Sequence, residues 1–111
     1  MKILSLDENL EFLPEKIISV PRQSNLLDLK KKVLNEFSTT KYLFPNLESV
    51  QILRVVQNQD KNMAQEIQVL SGDEKLLEKD FGVLDGSAIY VEKFPGIGEP
   101  STLQKRFEME V

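Results

Sequence analysis

The sequence predicts an α+β fold in which one helix packs on a mixed sheet of four to five strands. Three observations predict it: a short apolar run opens the chain, one capped amphipathic helix follows, and runs of β-branched residues alternate with turn residues after the helix. With 111 residues, of which 41% are hydrophobic and 29% charged, the chain has the size and composition of one globular domain.

Two strands are predicted before the helix. Residues 2–7 form a short apolar run that polar residues then break. Residues 15–20 form the second strand, and Pro21 ends it because proline cannot donate a hydrogen bond to a sheet. Strands this close in sequence pair most simply as an antiparallel hairpin.

The helix at 25–37 has the clearest pattern in the chain. Asn25 is a good N-cap, and Asp28 three residues later completes a carboxylate variant of the capping box. Apolar residues then recur at spacings of three and four, which predicts a stripe that packs across the inner surface of the sheet, including Ile89 and Val91. The stripe consists of Leu26, Leu29, Val33 and Phe37.

Three further strands are predicted after the helix. Residues 50–56 are rich in β-branched side chains, residues 67–70 form a short strand, and residues 87–94 alternate after a turn. Apolar residues in 42–47 are expected to tuck under the helix end. Those in 76–81 are expected to serve as apolar anchors in the stretch before the last strand.

The C-terminal segment is predicted to lie outside the domain. Residues 1–94 form the domain in this interpretation, and residues 95–111 form a linker rich in proline and glycine plus an extra strand. The strand is predicted because Phe107, Met109 and Val111 alternate strictly with charged residues. It either opens a following domain, which the linker favours, or adds to the edge of this domain's own sheet.

The composition excludes several classes of function. The chain has no cysteine and no histidine, which excludes disulfides, thiolate metal ligands and a Ser-His-Asp triad. We therefore expect no cofactor, no metal site and no catalysis by this chain. A net charge of -4 argues against nucleic-acid binding, because neutralising phosphates requires clustered Lys and Arg. The longest basic run, residues 30–32, is short.

No segment is apolar enough to cross a membrane or to act as a signal peptide. We therefore expect no membrane association and a location in the cytoplasm or nucleus.

Four segments resemble one family in the same order. Met1–Leu4 resembles its opening strand, Ser24–Lys30 its capped helix start, Leu76–Val83 its leucine-rich stretch, and 85–91 its turn and last strand. Over about 1–94, the chain resembles the β-grasp fold of ubiquitin. Within that family it is similar to the accessory ubiquitin-like domains of ubiquitin-specific proteases.

The resemblance implies a non-catalytic protein-interaction or regulatory module of a larger ubiquitin-system protein, a deubiquitinase. Its partner would be another protein or a catalytic domain in the same chain, and the module itself would be a monomer. A ubiquitin-like modifier or sulfur carrier is the alternative, but such proteins end in Gly-Gly, and here Ile97 separates Gly96 from Gly98. A small enzyme using two carboxylates across a cleft is a further alternative, although a chain of this size offers little cleft.

By approximate alignment with the family, the outward residues of a partner-binding sheet face are Ile52 and Arg54 on the third strand and Tyr90 and Glu92 on the fifth. Arg54 and Glu92 place charges where relatives often have aliphatic residues, which favours a partner other than the ordinary ubiquitin receptors. The alternative is a solvated sheet with a cross-strand pair between these two charges. The polar loop at 57–66 is either a partner-specific loop or a tolerated insertion.

Overall fold

The computed structural model describes residues 1–6, 11–37, 46–58, 64–83 and 86–109. These residues form a five-stranded mixed sheet and three α-helices, so the predicted α+β class is confirmed and the prediction of one helix is wrong. The strands are β1 (Lys2–Ser5), β2 (Lys16–Ile17), β3 (Val50–Asn58), β4 (Ala64–Val69) and β5 (Ala88–Lys93). The helices are α1 (Leu26–Glu36), α2 (Leu77–Phe81) and α3 (Thr102–Glu108), and a 3₁₀ turn covers Leu47–Ser49.

The strands lie in the order β2-β1-β5-β3-β4. β1 pairs antiparallel with β2, which confirms the predicted hairpin, and parallel with β5, with Ile3 opposite Ile89. β3 pairs antiparallel with both β5 and β4. The first and last strands therefore meet in the middle of the sheet, and the connection between them carries α1 across one face.

The strand bounds differ from those predicted, and β2 and β4 differ most. β2 covers only two residues of the predicted 15–20, although the backbone N–H of Ile18 still donates to the carbonyl of Met1 at 3.0 Å. β4 begins before the predicted 67–70, because its pairing with β3 extends as far as Asn58 opposite Ala64. The remainder of the predicted loop between these strands lies outside the described residues.

α1 confirms the predicted capping box and apolar stripe. The Asn25 side chain accepts from the backbone N–H of Asp28 at 2.9 Å, and the Asp28 carboxylate accepts from that of Asn25 at 3.1 Å. The stripe is buried against the sheet in one cluster, which we call the α1-side core. This core includes Ile3, Leu26, Leu29, Val33, Phe37, Val50, Ile52, Leu77, Ile89 and Val91.

α2 occupies a stretch that the sequence predicts only as apolar anchors. Leu77 packs in the α1-side core, and its backbone N–H donates to the carbonyl of Ser24 at 3.0 Å. In return, the N–H of Leu26 donates to the carbonyl of Lys75 at 2.9 Å. Gly82 ends α2 at φ 70°, a left-handed conformation that glycine adopts without steric cost. The starts of α1 and α2 are thus joined by backbone hydrogen bonds.

The predicted extra strand is wrong over Thr102–Glu108, which form α3. The Ser101 hydroxyl accepts from the backbone N–H of Gln104 at 2.9 Å and caps the helix. Leu103 and Phe107, four residues apart, then share one side of the helix and pack on the sheet. The alternation that suggested a strand rests on residues at the end of α3 and beyond it. α3 packs on the face of the sheet opposite α1, as part of the same folded unit.

Candidate interaction surface

The four residues predicted to form one binding face lie on two faces of the sheet. In the register of β3 with β5, Ile52 is opposite Val91 and Leu53 is opposite Tyr90. Ile52 is fully buried in the α1-side core, whereas Leu53 points with Tyr90 to the other side. The prediction of a shared outward face is therefore wrong. Shifting β3 by one residue in the approximate alignment reverses every side chain, because strands alternate with a period of two.

Arg54 lies on the α1 side of β3, opposite Gln68 of the edge strand β4. Its guanidinium donates through Nη1 to the carbonyl of Phe81 and through Nε to the Gln68 side chain at 2.5 Å. Arg54 therefore joins β3 and β4 to the end of α2. The predicted pairing of Arg54 with Glu92 does not form, because the two residues point to opposite faces.

Glu92 holds the start of α3. Its side chain is only 1% exposed, and its carboxylate accepts from the backbone N–H groups of Thr102 at 2.6 Å and Leu103 at 3.2 Å. The first N–H groups of a helix have no partner within the helix, and a carboxylate both satisfies them and complements the helix dipole. Glu92 is thus an internal anchor, not an exposed contact residue.

Tyr90 takes part in an aromatic cluster beside α3. Its ring lies 6.2 Å from the Phe12 ring, measured between centroids, at an interplanar angle of 52°. The Arg106 guanidinium lies 5.6 Å from the centroid of the Phe12 ring, within the range of a cation–π contact. An isolated bridge between Leu6 and Phe12 keeps this ring against the sheet.

α3 covers an apolar surface that we call the α3-side face. Leu103 is 0% exposed and packs against Leu6 and Leu53, and Phe107 is partly buried beside them. The rim remains open to solvent, with Val69 and Phe12 exposed. The α3-side face consists of Leu6, Leu53, Val55, Ile67 and Tyr90.

The sequence contains a signal for α3 that the strand interpretation missed. Ser101 is followed three residues later by Gln104, a spacing typical of a capping box. Leu103 and Phe107 follow at helical spacing. The role of Glu92 has no comparable local signal, because it depends on a turn that brings residue 102 back to β5.

A second feature is a pair of adjoining clefts beside α2. They measure about 280 and 630 Å³, and both include Arg22 and Glu78. Arg22 donates to the two carboxylate oxygens of Glu78 at 3.2 and 2.9 Å. These hydrogen bonds and the guanidinium charge hold the pKa of Glu78 below its usual range. Arg22 and Glu78 pair with each other at the surface, so this pair provides no free reactive group to the clefts.

Neither a metal site nor a membrane span is found in the described parts of the chain. No group of three or more acidic side chains among the described residues could hold a metal ion. None of the described helices is long and apolar enough to cross a bilayer.

No protein-family model matches this chain, and no curated protein or solved structure matches it either. A proposal about its class and function therefore depends on the chain's own residues and their geometry.

Proposed function

We propose that this chain is a ubiquitin-like β-grasp domain that serves as a non-catalytic protein-interaction or regulatory module of a larger ubiquitin-system protein, a ubiquitin-specific protease. The observation that carries the proposal is the sheet order β2-β1-β5-β3-β4, with β1 and β5 parallel at its centre. α1 crosses one face of that sheet, and α2 lies just before β5, at the leucine-rich stretch of the resemblance. This arrangement supports the proposed likeness over 1–94.

The path of the chain after β5 supports a module over a modifier. A modifier needs a free, extended C-terminal tail for activation. Here the chain turns at residues 96–99, where the N–H of Glu99 donates to the carbonyl of Gly96 at 3.2 Å. It then returns to the sheet through the buried Leu103. A segment folded back in this way does not provide such a tail.

The engaged acidic side chains support a non-catalytic role. The one buried carboxylate of the described residues, that of Glu92, already accepts from two backbone N–H groups. Glu78, beside the clefts, is paired with Arg22. An acid–base pair needs carboxylates that face a substrate, and these two do not. The proposal therefore assigns binding to this chain and chemistry to a catalytic domain elsewhere in its parent, in the cytoplasm or nucleus.

Adding the purified chain to the catalytic domain of a ubiquitin-specific protease tests the proposal. We expect the catalytic domain to shift the NMR signals of a contiguous surface of the ¹⁵N-labelled chain, and the chain to change the rate at which a ubiquitin–fluorophore conjugate is cleaved. The chain by itself should cleave none of the conjugate. A Leu29→Asp variant, which introduces a charge into the α1-side core, is the unfolded control and should have no effect. Cleavage by the chain alone, or unchanged NMR signals and rates, would overturn the proposal.

A further inference from the structure

The α3-side face and Glu92 together form the site at which the short helix α3 docks. Leu103 fills the space beside Leu6 and Leu53, while the Glu92 carboxylate accepts the N–H groups of Thr102 and Leu103. Apolar contact and N-terminal anchoring thus act on the same turn of α3. Such a site recognises a helix by its first turn and by one side of its surface.

α3 is held in this site by a small apolar contact area together with the Glu92 anchor. Leu103 is its one buried residue, Phe107 is partly buried, and Met109 is 65% exposed. Burying a leucine contributes about 1.5–3 kcal/mol. α3 has seven residues, fewer than the roughly 12–15 that even a favourable isolated helix requires in water. It is therefore helical only while docked, and local opening of an element with one buried side chain costs less than global unfolding.

The connection from β5 to α3 allows that opening. Ile97 is 97% exposed at the tip of the turn, and Gly96 and Gly98 on either side have positive φ values of 119° and 79°. The Ile97 side chain therefore contributes almost no packing to this turn. When α3 leaves, the apolar α3-side face and the buried carboxylate lose their cover together. Exposed apolar surfaces often mark protein-interaction sites.

We propose that α3 is an internal competitor, and that the α3-side face binds an amphipathic helix of a partner protein once α3 has detached. This inference rests on the proposed role as an interaction module. The docked α3 shows which sequence pattern the partner helix needs. A capping residue lies two positions before an apolar residue, and a basic and an aromatic residue lie three and four positions after that apolar residue. In α3 these positions are Ser101, Leu103, Arg106 and Phe107.

Charge favours a basic partner helix over α3 from a second copy of this chain. The chain has a net charge of -4, so two copies repel each other at long range. The site itself suits a cationic side chain, because Arg106 lies over the Phe12 ring. A basic helix from another protein gains from this contact without that repulsion.

A basic peptide with the sequence of residues 100–107, which leaves out Glu99 and Glu108, represents the partner helix in a test with the full chain. In the wild type, α3 competes within the molecule at an effective concentration on the order of millimolar, which suppresses binding of the peptide. Leu103→Asp releases α3, because the new charge cannot stay buried beside Leu6 and Leu53. Gln104→Asp is the matched control, since residue 104 is exposed on the same turn. We expect the peptide to bind the Leu103→Asp chain on the order of tenfold more tightly than the wild type or the control.

NMR signals of Leu53 and Tyr90 would report the binding, and those of Leu29 would report that the α1-side core stays folded. Phe107→Asp, at a partly buried position, serves if Leu103→Asp unfolds the chain. A folded variant whose Leu53 and Tyr90 signals ignore the peptide would overturn the inference. So would a wild-type chain that forms a dimer by exchanging α3, because the occupant would then be a second copy. The titration with the catalytic domain does not require α3 to move, so either proposal can fail without the other.

Discussion

The two faces of the sheet are covered by helices that contribute very differently to the fold. On one face, α1 buries a stripe of four residues in a large core that also includes side chains from β1, β3 and β5. On the other face, α3 buries Leu103 and leaves Phe107 partly exposed. Burial on the first face holds the strands together, whereas burial on the second covers a sheet that is already formed. The comparison suggests that α1 is needed for folding and that α3 is a cover that can detach.

The largest effect is expected from Leu29→Ala, which removes a fully buried side chain of α1. Leucine-to-alanine changes in a core cost about 2–5 kcal/mol, because apolar contact is lost and a cavity remains. The α1-side core has no way to detach locally, so the whole chain should unfold at lower denaturant concentration. Chemical denaturation followed by circular dichroism measures this. Lys31→Ala, exposed on the same helix, is the control and should stay within about 0.5 kcal/mol of the wild type.

Leu103→Ala is expected to cost less, although Leu103 is equally buried. Its cost cannot exceed the free energy of docking α3, to which burial of this one leucine contributes about 1.5–3 kcal/mol and the hydrogen bonds to Glu92 contribute as well. Hydrogen exchange should show the difference: amides of α3 lose protection while those of β3 and β5 keep theirs. An equal loss of protection in the sheet would show that both faces unfold together and would remove the distinction.

The same contrast explains how much of the fold the sequence predicts. α1 is predicted almost to the residue, because Asn25 and Asp28 cap it and the stripe that starts at Leu26 has a single period. β5 is predicted within one residue at each end, because its alternation follows a clear turn. α3 is missed, since its seven residues contain both a helical pair, Leu103 and Phe107, and an alternating pattern.

The candidate site is less predictable for a topological reason. The face on which a side chain lies depends on strand register. A one-residue error in the register of β3 therefore assigns Ile52 to the face on which Leu53 lies. The anchoring role of Glu92 depends on residues ten and eleven positions away in the chain. Such a contact has no periodic signature, so a buried carboxylate in a strand is easily interpreted as an outward charge.

Glu92→Ala is expected to have an intermediate effect that is confined to the α3 face. It leaves the N–H groups of Thr102 and Leu103 without their acceptor, and an unpaired buried donor costs about 1–3 kcal/mol. Glu92→Gln retains one oxygen acceptor and should cost less. Exchange rates of the α3 amides measure both changes, with the amide of Leu29 as the internal reference. Equal effects of the two variants would show that the acceptor oxygens do not anchor α3.

The smallest effect on stability is expected from Arg22→Ala, which tests whether the surface beside α2 contributes to the stability of either face of the sheet. The Arg22–Glu78 pair is exposed, and exposed ion pairs contribute little to stability because water screens them. Its signature is instead the pKa of Glu78, which Arg22 lowers in the folded chain. The stabilisation from this pair is therefore present above the usual carboxyl pKa and is lost as pH falls through the lowered folded value. In Arg22→Ala the pKa of Glu78 should rise towards its usual range, as measured by carboxyl ¹³C NMR, whereas Lys79→Ala should leave it lowered. A Glu78 pKa that stays low in Arg22→Ala would mean that another group holds it there, and the two clefts would then contain a charge that the structure has not paired.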